Sequence, residues 1–447
     1  MLFRSGGDTR VRYCYCQDYA IPVWLMASQL WEDEHAAAFE AGWLKQVTRE
    51  CNANGDGSFL SARCAELATA SPLYYTRLES DRAASLSMGA YWRRRLEVPD
   101  TVNPLPAKEF AWSDEYHGAV LQRGKRRVAS WCWLAAEKPQ GLCLPTAGSD
   151  LAEWKEHLTG RVIGQGRTDD RTLLSHTEQP FKGGFLTWGE VSCRSGPMLA
   201  EGQPAEETAR IRLVAAALPD DATLVVFQRA VTPARRLYLT EHGGIGWRIP
   251  NDLFNDGRRT SFTEDGEHEL HGIGAEEETW RTGSPWLNVE GRLGLAALYG
   301  LEELELYRPG RRQIGLRATK GQDPWEGGGM LWADEVWACK QVGLQAYDPE
   351  TVLFDLGFAL RAGASGEETE LLAQQGRRLP TSEALRVVSL PGADGVPYVL
   401  AANFGQQEAG FSIGTVLTDL ATYEQLLPAA QVIVPAGEAR LFRLAPR

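Results

Sequence analysis

Residues 98–107 read VPDTVNPLPA, three prolines in ten positions. Proline removes a backbone donor and its ring clashes with the preceding turn, so neither a helix nor a central strand runs through such a segment. The stretch therefore divides the chain, and the hydrophobic period changes across it. Before it the spacing is helical. Ile21, Trp24, Leu25, Ser28 and Trp31 recur at three and four residues, and Ala36, Phe39, Trp43 and Val47 form a second stripe. Residues 59–68 and 73–95 read as further helices, with Leu78, Leu86, Ala90 and Leu96 on one face. Residues 52–58 (NANGDGS) form a loop; they lack the ligand spacing and closing Glu of a calcium loop.

After the prolines the pattern is that of short strands. Residues 119–122 and 127–134 flank a turn at Gly124 and predict a hairpin. Strands are expected at 185–191, 211–217, 223–228, 236–240, 292–298 and 313–318, separated by turn clusters such as Pro219-Asp220-Asp221 and Asn255-Asp256-Gly257. The helices that a parallel βαβ fold demands are missing, so a large antiparallel sandwich is expected over residues 108–345. A third segment, 346–447, offers strands at 352–358, 385–389, 398–403, 409–413, 432–434 and 439–444. A polar, helix-compatible insert occupies 363–378. The fold class expected is α+β multidomain: a helical segment over 1–97, the large sandwich, and a small C-terminal β-sandwich.

With 46 Lys and Arg against 59 Asp and Glu, the net charge is −13. An acidic surface repels a phosphate backbone, which argues against general nucleic-acid binding and leaves room for a local basic cleft. No run approaches the roughly 20 apolar residues of a spanning helix, so no membrane partner is expected. The start, MLFRSGGDTR, lacks an apolar signal core, and the default location is cytoplasmic. The eight cysteines include no CxxC pair and no Cys/His spacing of a closed zinc site. Reduced, buried thiols, no metal and no cofactor are expected. P-loop, dinucleotide-binding, GxSxG and HExxH signatures are absent.

The chemistry-bearing residues fall into a few groups. Residues 10–24 (RVRYCYCQDYAIPVW) hold Tyr13, Tyr15 and Asp18 ahead of a helix that contains Trp24. Asp18 also suits a helix cap, with Pro22 in the first turn. Residues 112–118 (WSDEYHG) carry Trp112, Asp114, Glu115, Tyr116 and His117, followed by the basic run 123–127 (RGKRR). Tyr, His and Arg together meet the needs of β-elimination on a uronic acid: one group takes the C5 proton, another protonates the leaving oxygen, and a cation neutralises the carboxylate. Arg126 and Arg127 are the expected neutralisers. Fifteen tryptophans suggest sugar stacking as well as core packing. Trp131 and Trp133 share one strand face by the two-residue period, and Trp286 lies in SPWLNVEGRLG. Asn251 and Arg258, in PNDLFNDGRR, suit sugar hydroxyls as well as tight turns. His268 and His271, flanked by glycines, suggest an exposed turn.

This order of helices, proline linker, large antiparallel sandwich and small terminal sandwich resembles the polysaccharide lyases built from an α/α-toroid and a β-supersandwich. These include the heparinase II/III type and the chondroitin/hyaluronan lyase type. The helix with Asp18, Trp24, Ala27 and Ser28 also looks like the last helices of a toroid family related to unsaturated-uronide hydrolases. The resemblance implies a catalytic Tyr from the helices, matching Tyr13 or Tyr15, and a His from the sandwich, matching His117. A complete toroid needs roughly 250 residues, by the length of ten to twelve ordinary helices. Residues 1–97 are too few, so the chain looks like the C-terminal portion of such an enzyme or a form whose helical domain is cut down, and an oligomer or partner chain completing the helical domain is a further expectation. Three functions follow: elimination on an acidic polysaccharide or oligosaccharide; hydrolysis by two carboxylates, Asp18 with Asp114 or Glu115; or a non-catalytic glycan-binding module.

Overall fold

The computed structural model describes residues 20–53, 72–98, 109–134, 138–148, 151, 158–165, 169–196, 205–250, 258–271, 278–308 and 333–445. Three helices come first: α1 (Ile21–Leu30), α2 (Glu34–Ala53) and α3 (Pro72–Arg95). Ile21, Leu25, Trp43 and Val47 form their core, with Leu86, Trp92, Leu96 and Val98 packed against it. The expected stripes hold in part: Trp31 and Phe39 face solvent, and on α3 Ala90 is exposed while Arg82, Ser85 and Gly89 take the buried side. The ion pair from Arg93 to the buried carboxylate of Glu40, at 2.6 Å, joins α3 to α2. Among the described residues no helix is long and apolar enough to cross a membrane.

The strands then follow as β1 (Phe110–Asp114), β2 (Ala119–Arg123), β3 (Arg127–Cys132), β4 (Gln140–Pro145), β5 (Arg161–Gly164), β6 (Asp170–Phe181), β7 (Gly184–Ser195), β8 (Glu206–Ala217) and β9 (Thr223–Val231). Next come β10 (Leu237–Pro250), β11 (Arg258–Thr263), β12 (Gly266–His271), β13 (Glu278–Arg281), β14 (Trp286–Val289), β15 (Leu293–Tyr299), β16 (Glu305–Arg308), β17 (Ala333–Tyr347) and β18 (Val352–Ala362). Helix α4 (Gly366–Gln375) precedes β19 (Arg377–Arg378), β20 (Leu385–Pro391), β21 (Pro397–Asn403), β22 (Ala409–Phe411), β23 (Leu417–Asp419), β24 (Gln425–Leu426), β25 (Val432–Val434) and β26 (Ala439–Leu444).

They form a nine-stranded sheet in the order β12-β11-β14-β15-β18-β9-β8-β7-β6, faced by a five-stranded sheet (β13-β16-β17-β10-β5) and a four-stranded one (β1-β2-β3-β4). A six-stranded sheet (β19-β20-β21-β26-β23-β24) and the β22-β25 pair complete the C-terminal part. The molecule is an α+β multidomain protein with a large antiparallel β-supersandwich and a small C-terminal sandwich.

The nine-stranded sheet is buried on both faces, and its sequence says why. In β9, Leu224 and Val226 enter the core shared with the five- and four-stranded sheets, while Val225 and Phe227 enter the core under the C-terminal sheet. Strand β21 repeats the device: Tyr398 and Leu400 face the nine-stranded sheet, and Val399 and Ala401 face the outer pair. Uninterrupted apolar runs are the mark of strands covered on both sides.

Two expectations need correction. Strand β18 lies between β15 and β9 in the nine-stranded sheet, so a boundary at residue 346 assigns a strand of the large sandwich to the small one. The pair His268 and His271 sits in a strand, β12, rather than in a turn. The expected helix at 59–68 and the strand at 313–318 lie outside the described residues.

Candidate functional site

The β1–β2 turn is built by Asp114. Its Oδ1 accepts the backbone N–H of Tyr116 at 2.9 Å and of His117 at 3.3 Å, the Asx geometry that short acidic side chains favour. Gly118 closes the turn at φ +58°. This fold-back places Asp114 Oδ2 2.6 Å from His117 Nδ1. The hydrogen bond to the imidazole, with the His117 charge beside it, holds the Asp114 carboxyl below the usual carboxylate range. An ionised Asp114 accepts a hydrogen bond from the His117 Nδ1–H, which leaves Nε2 as the ring nitrogen not engaged by the carboxylate. Both side chains reach solvent. Tyr116 stacks edge-on to His117 with centroids 4.8 Å apart.

Phe110 and Trp112 share the Asp114 face of β1 by the two-residue period, and both are exposed, Trp112 at 53%. An aromatic stripe thus runs along the strand to the carboxylate–imidazole pair.

A second pair lies beside it. On β6, His176 Nδ1 sits 2.7 Å from Glu178 Oε1. A Cβ at Gly118 would stand 2.8 Å from His176 Nδ1, so glycine is what lets the turn approach this imidazole. His176 escaped the sequence reading. Its signal was a His and a Glu two residues apart on one strand face, which is visible only once 170–181 is recognised as a strand.

The other expected site residues have different places. Arg127 has 0% side-chain exposure. Its guanidinium donates to the Leu218 carbonyl at 3.0 Å, to the Thr223 carbonyl and to Gln122 Oε1, and it lies 3.8 Å from Asp220. It ties β3 to the turn before β9 and is not a carboxylate neutraliser. Arg126 is exposed, but it sits at the opposite end of the hairpin from His117. Roughly 17 Å of strand separates the two ends, so the Tyr-His-Arg neighbourhood read from sequence is not assembled on one sugar. Backbone N–H groups of Lys125 and Arg126 donate to Asp221 Oδ2 at 2.8 and 2.9 Å.

Trp131 is fully buried with Trp133, centroids 5.7 Å apart. Trp286 is buried under the C-terminal layer. Neither can stack on a substrate. Trp24 is half-buried against Phe39 at 4.7 Å. The backbone of Arg258 opens β11. Tyr13, Tyr15, Asp18 and Asn251 lie outside the described residues.

The thiols of Cys143 and Cys193 are buried and pushed up to about 12 by that burial, which leaves them protonated and unreactive. Among the described residues no group of three or more His, Cys, Asp or Glu is arranged to hold a metal ion. A small cleft of about 60 Å³ between the nine- and six-stranded sheets is lined by Trp188, Glu190, Arg212 and Phe404. It has room for a water or two rather than a sugar ring.

No protein-family description matches the sequence, and no curated protein matches it. Among solved structures, the chain is similar to a chondroitin AC lyase mutant from Streptomyces coelicolor A3, at 13% identity and TM-score 0.38, over 96% of this chain and 58% of that one. It is similar to an alpha-galactosidase from Lactobacillus brevis at 7% identity and TM-score 0.36, over 59% and 42% of the two chains. A third likeness, to HI1317, has 8% identity and TM-score 0.27, over 57% and 99%. The chain thus spans less than half the length of that galactosidase and under two thirds of the lyase.

Proposed function

We propose that this protein acts on an acidic polysaccharide or oligosaccharide and cleaves it by β-elimination. The observation that carries the reading is the Asp114–His117 pair, open to solvent at the end of the Phe110–Trp112 stripe. Flat aromatics offer stacking surfaces to the apolar faces of sugar rings. A neutral imidazole oriented by a carboxylate is a competent general base.

In this reading a uronate sits with C5–H at His117 Nε2. The proton moves to the imidazole, the C4–O bond breaks, and its electron pair leaves with the oxygen. A phenol returns a proton to that oxygen, and the product carries a C4=C5 double bond conjugated with the carboxylate. Tyr13 or Tyr15 is the proposed phenol, and Asp18 belongs to the same proposal. His176 with Glu178 is a second proton-transfer pair next to the same turn. Arg126, at the far end of the hairpin, meets a uronate further along the chain. A partner chain completing the helical segment is part of the same proposal. The alternative is two-carboxylate hydrolysis, in which an ionised Asp114 is the base or nucleophile and Asp18 the acid.

The test is incubation of the full chain with uronate polymers while following the ultraviolet absorbance of the conjugated product. Absorbance that grows with time is expected. A folded sample that binds these polymers without turnover is a glycan-binding module, and new reducing ends without absorbance mean hydrolysis. Either result overturns elimination.

A further inference from the structure

A second polar cluster lies far from the β1–β2 turn, where the nine-stranded sheet meets the six-stranded one. Tyr299 ends β15 opposite Gly357 of β18. Its ring packs edge-on to Phe227 with centroids 5.3 Å apart. The phenol oxygen is buried and has no hydrogen-bond partner among the described residues. Buried hydroxyls are nearly always paired, so one without a protein partner marks a place where something else supplies the acceptor.

The surroundings are cationic. Asp355, two residues before Gly357 on the same strand face, has its oxygens taken by Arg386, whose Nε stands at 3.0 Å, and by Arg229 Nη1 at 3.4 Å. From β19, Arg378 lies over the Tyr299 ring with its Cζ 5.3 Å from the centroid. Arg378 is exposed and forms no ion pair among the described residues. Three guanidinium groups thus converge with one carboxylate in contact. Glu383 adds its charge near Arg386 and gives its backbone carbonyl to that side chain. Burial, then Asp355, pushes the Tyr299 phenol well above its ordinary range, so it stays a donor.

We infer that a small oxyanion, a sulfate or carboxylate group, binds at this seam, accepting from the Tyr299 hydroxyl and pairing with Arg378 and Arg229. Arginine forks suit planar and tetrahedral oxyanions, and the Arg378 side chain is open to solvent. The two sources of such a group are a free inorganic ion and an acidic sugar. The site is independent of the elimination reading.

The test is the thermal midpoint of the full chain against sodium sulfate, with sodium chloride at matched ionic strength as control. A saturable rise of about 2–4 °C is expected. It should vanish in Arg378→Gln, whose side chain is exposed, and shrink in Tyr299→Phe. Sulfate also stabilises proteins generally by exclusion from their surface. Equal rises in the wild type and Arg378→Gln therefore mean that effect alone and overturn the proposal, as does no rise. A full rise in Tyr299→Phe removes the hydroxyl from the site and overturns it too. A uronate or sulfated disaccharide acting at lower concentration than inorganic sulfate assigns the site to sugars; the reverse order assigns it to the free ion.

Discussion

Arg127 shows how much one side chain decides. Its charge is fully buried, and its partners besides Gln122 are Leu218 and Asp220 in the turn between β8 and β9 and Thr223 at the start of β9. Removing one member of a buried pair leaves the other charge stranded, so Arg127→Ala should cost about 3–5 kcal/mol in chemical denaturation; a cost under 1 kcal/mol would show that the pair does not hold these elements together. The run RGKRR reads as a surface cluster because its partners are some 90 positions away, and no local pattern reveals them. Trp131 and Trp133 were more legible: the two-residue period put them on one face, although not which environment that face meets. His242 carries a pH signature. Burial lowers it to about 4 from an ordinary 6.5, and its Nε2 meets the Tyr347 hydroxyl at 2.8 Å. The unfolded chain therefore takes the proton first as the pH falls. Stability is unaffected by this group above 6.5, declines between 6.5 and about 4, and levels off below. The loss is on the order of 2 kcal/mol once solvent screening is allowed for. His242→Gln, measured by urea midpoints across that range, should flatten this part of the profile; an unchanged slope would assign the decline to other groups.

At the level of elements, helix α4 is set by its own ends and by one buried amide. Ser365 accepts from the Glu368 backbone N–H while Glu368 returns to the Ser365 backbone, a capping box. Asn288 donates to the Ala364 carbonyl and to Thr369 Oγ1, each at 2.8 Å. Ser365→Ala should lower stability by about 1 kcal/mol, read as a shift of the denaturant midpoint with unchanged slope; no shift would mean that docking alone holds the helix. From the sequence 363–378 was legible only as a polar, helix-compatible insert, without its cap. The role of Asn288 was not legible, because an amide in a turn-rich string suits a tight turn or a sugar equally well until its burial is known. The β1–β2 turn makes the parallel case. Gly118 has both a left-handed backbone and an imidazole against it. Gly118→Ala should therefore push His176 away and lower activity at least as much as it lowers stability; full activity in a folded variant would separate His176 from the site.

Across the whole molecule the central fact is a nine-stranded sheet covered on both faces. Its outer face is closed by α4 and the six-stranded sheet through Trp188, Phe227, Leu298, Tyr398 and Leu400. Arg212 bridges the two parts, accepted by Glu190 at 3.0 Å and by the Phe404 carbonyl. A chain ended after residue 364 exposes that apolar face, so it should aggregate or bind hydrophobic dyes; a soluble, cooperatively folding product would show that the large sandwich stands alone. The order of helices, large sandwich and small sandwich was legible from the proline run and the change of period. The membership of β18 was not, since sheet order is set by pairings distant in sequence. The proposed elimination depends on the imidazole at the β1–β2 turn, and its most direct test is the initial rate of unsaturated-product formation from a uronate polymer, wild type against His117→Gln. A fall of about 100-fold or more in kcat with KM little changed is the predicted result. An equal rate in the variant, from a sample as stable as the wild type, would contradict it.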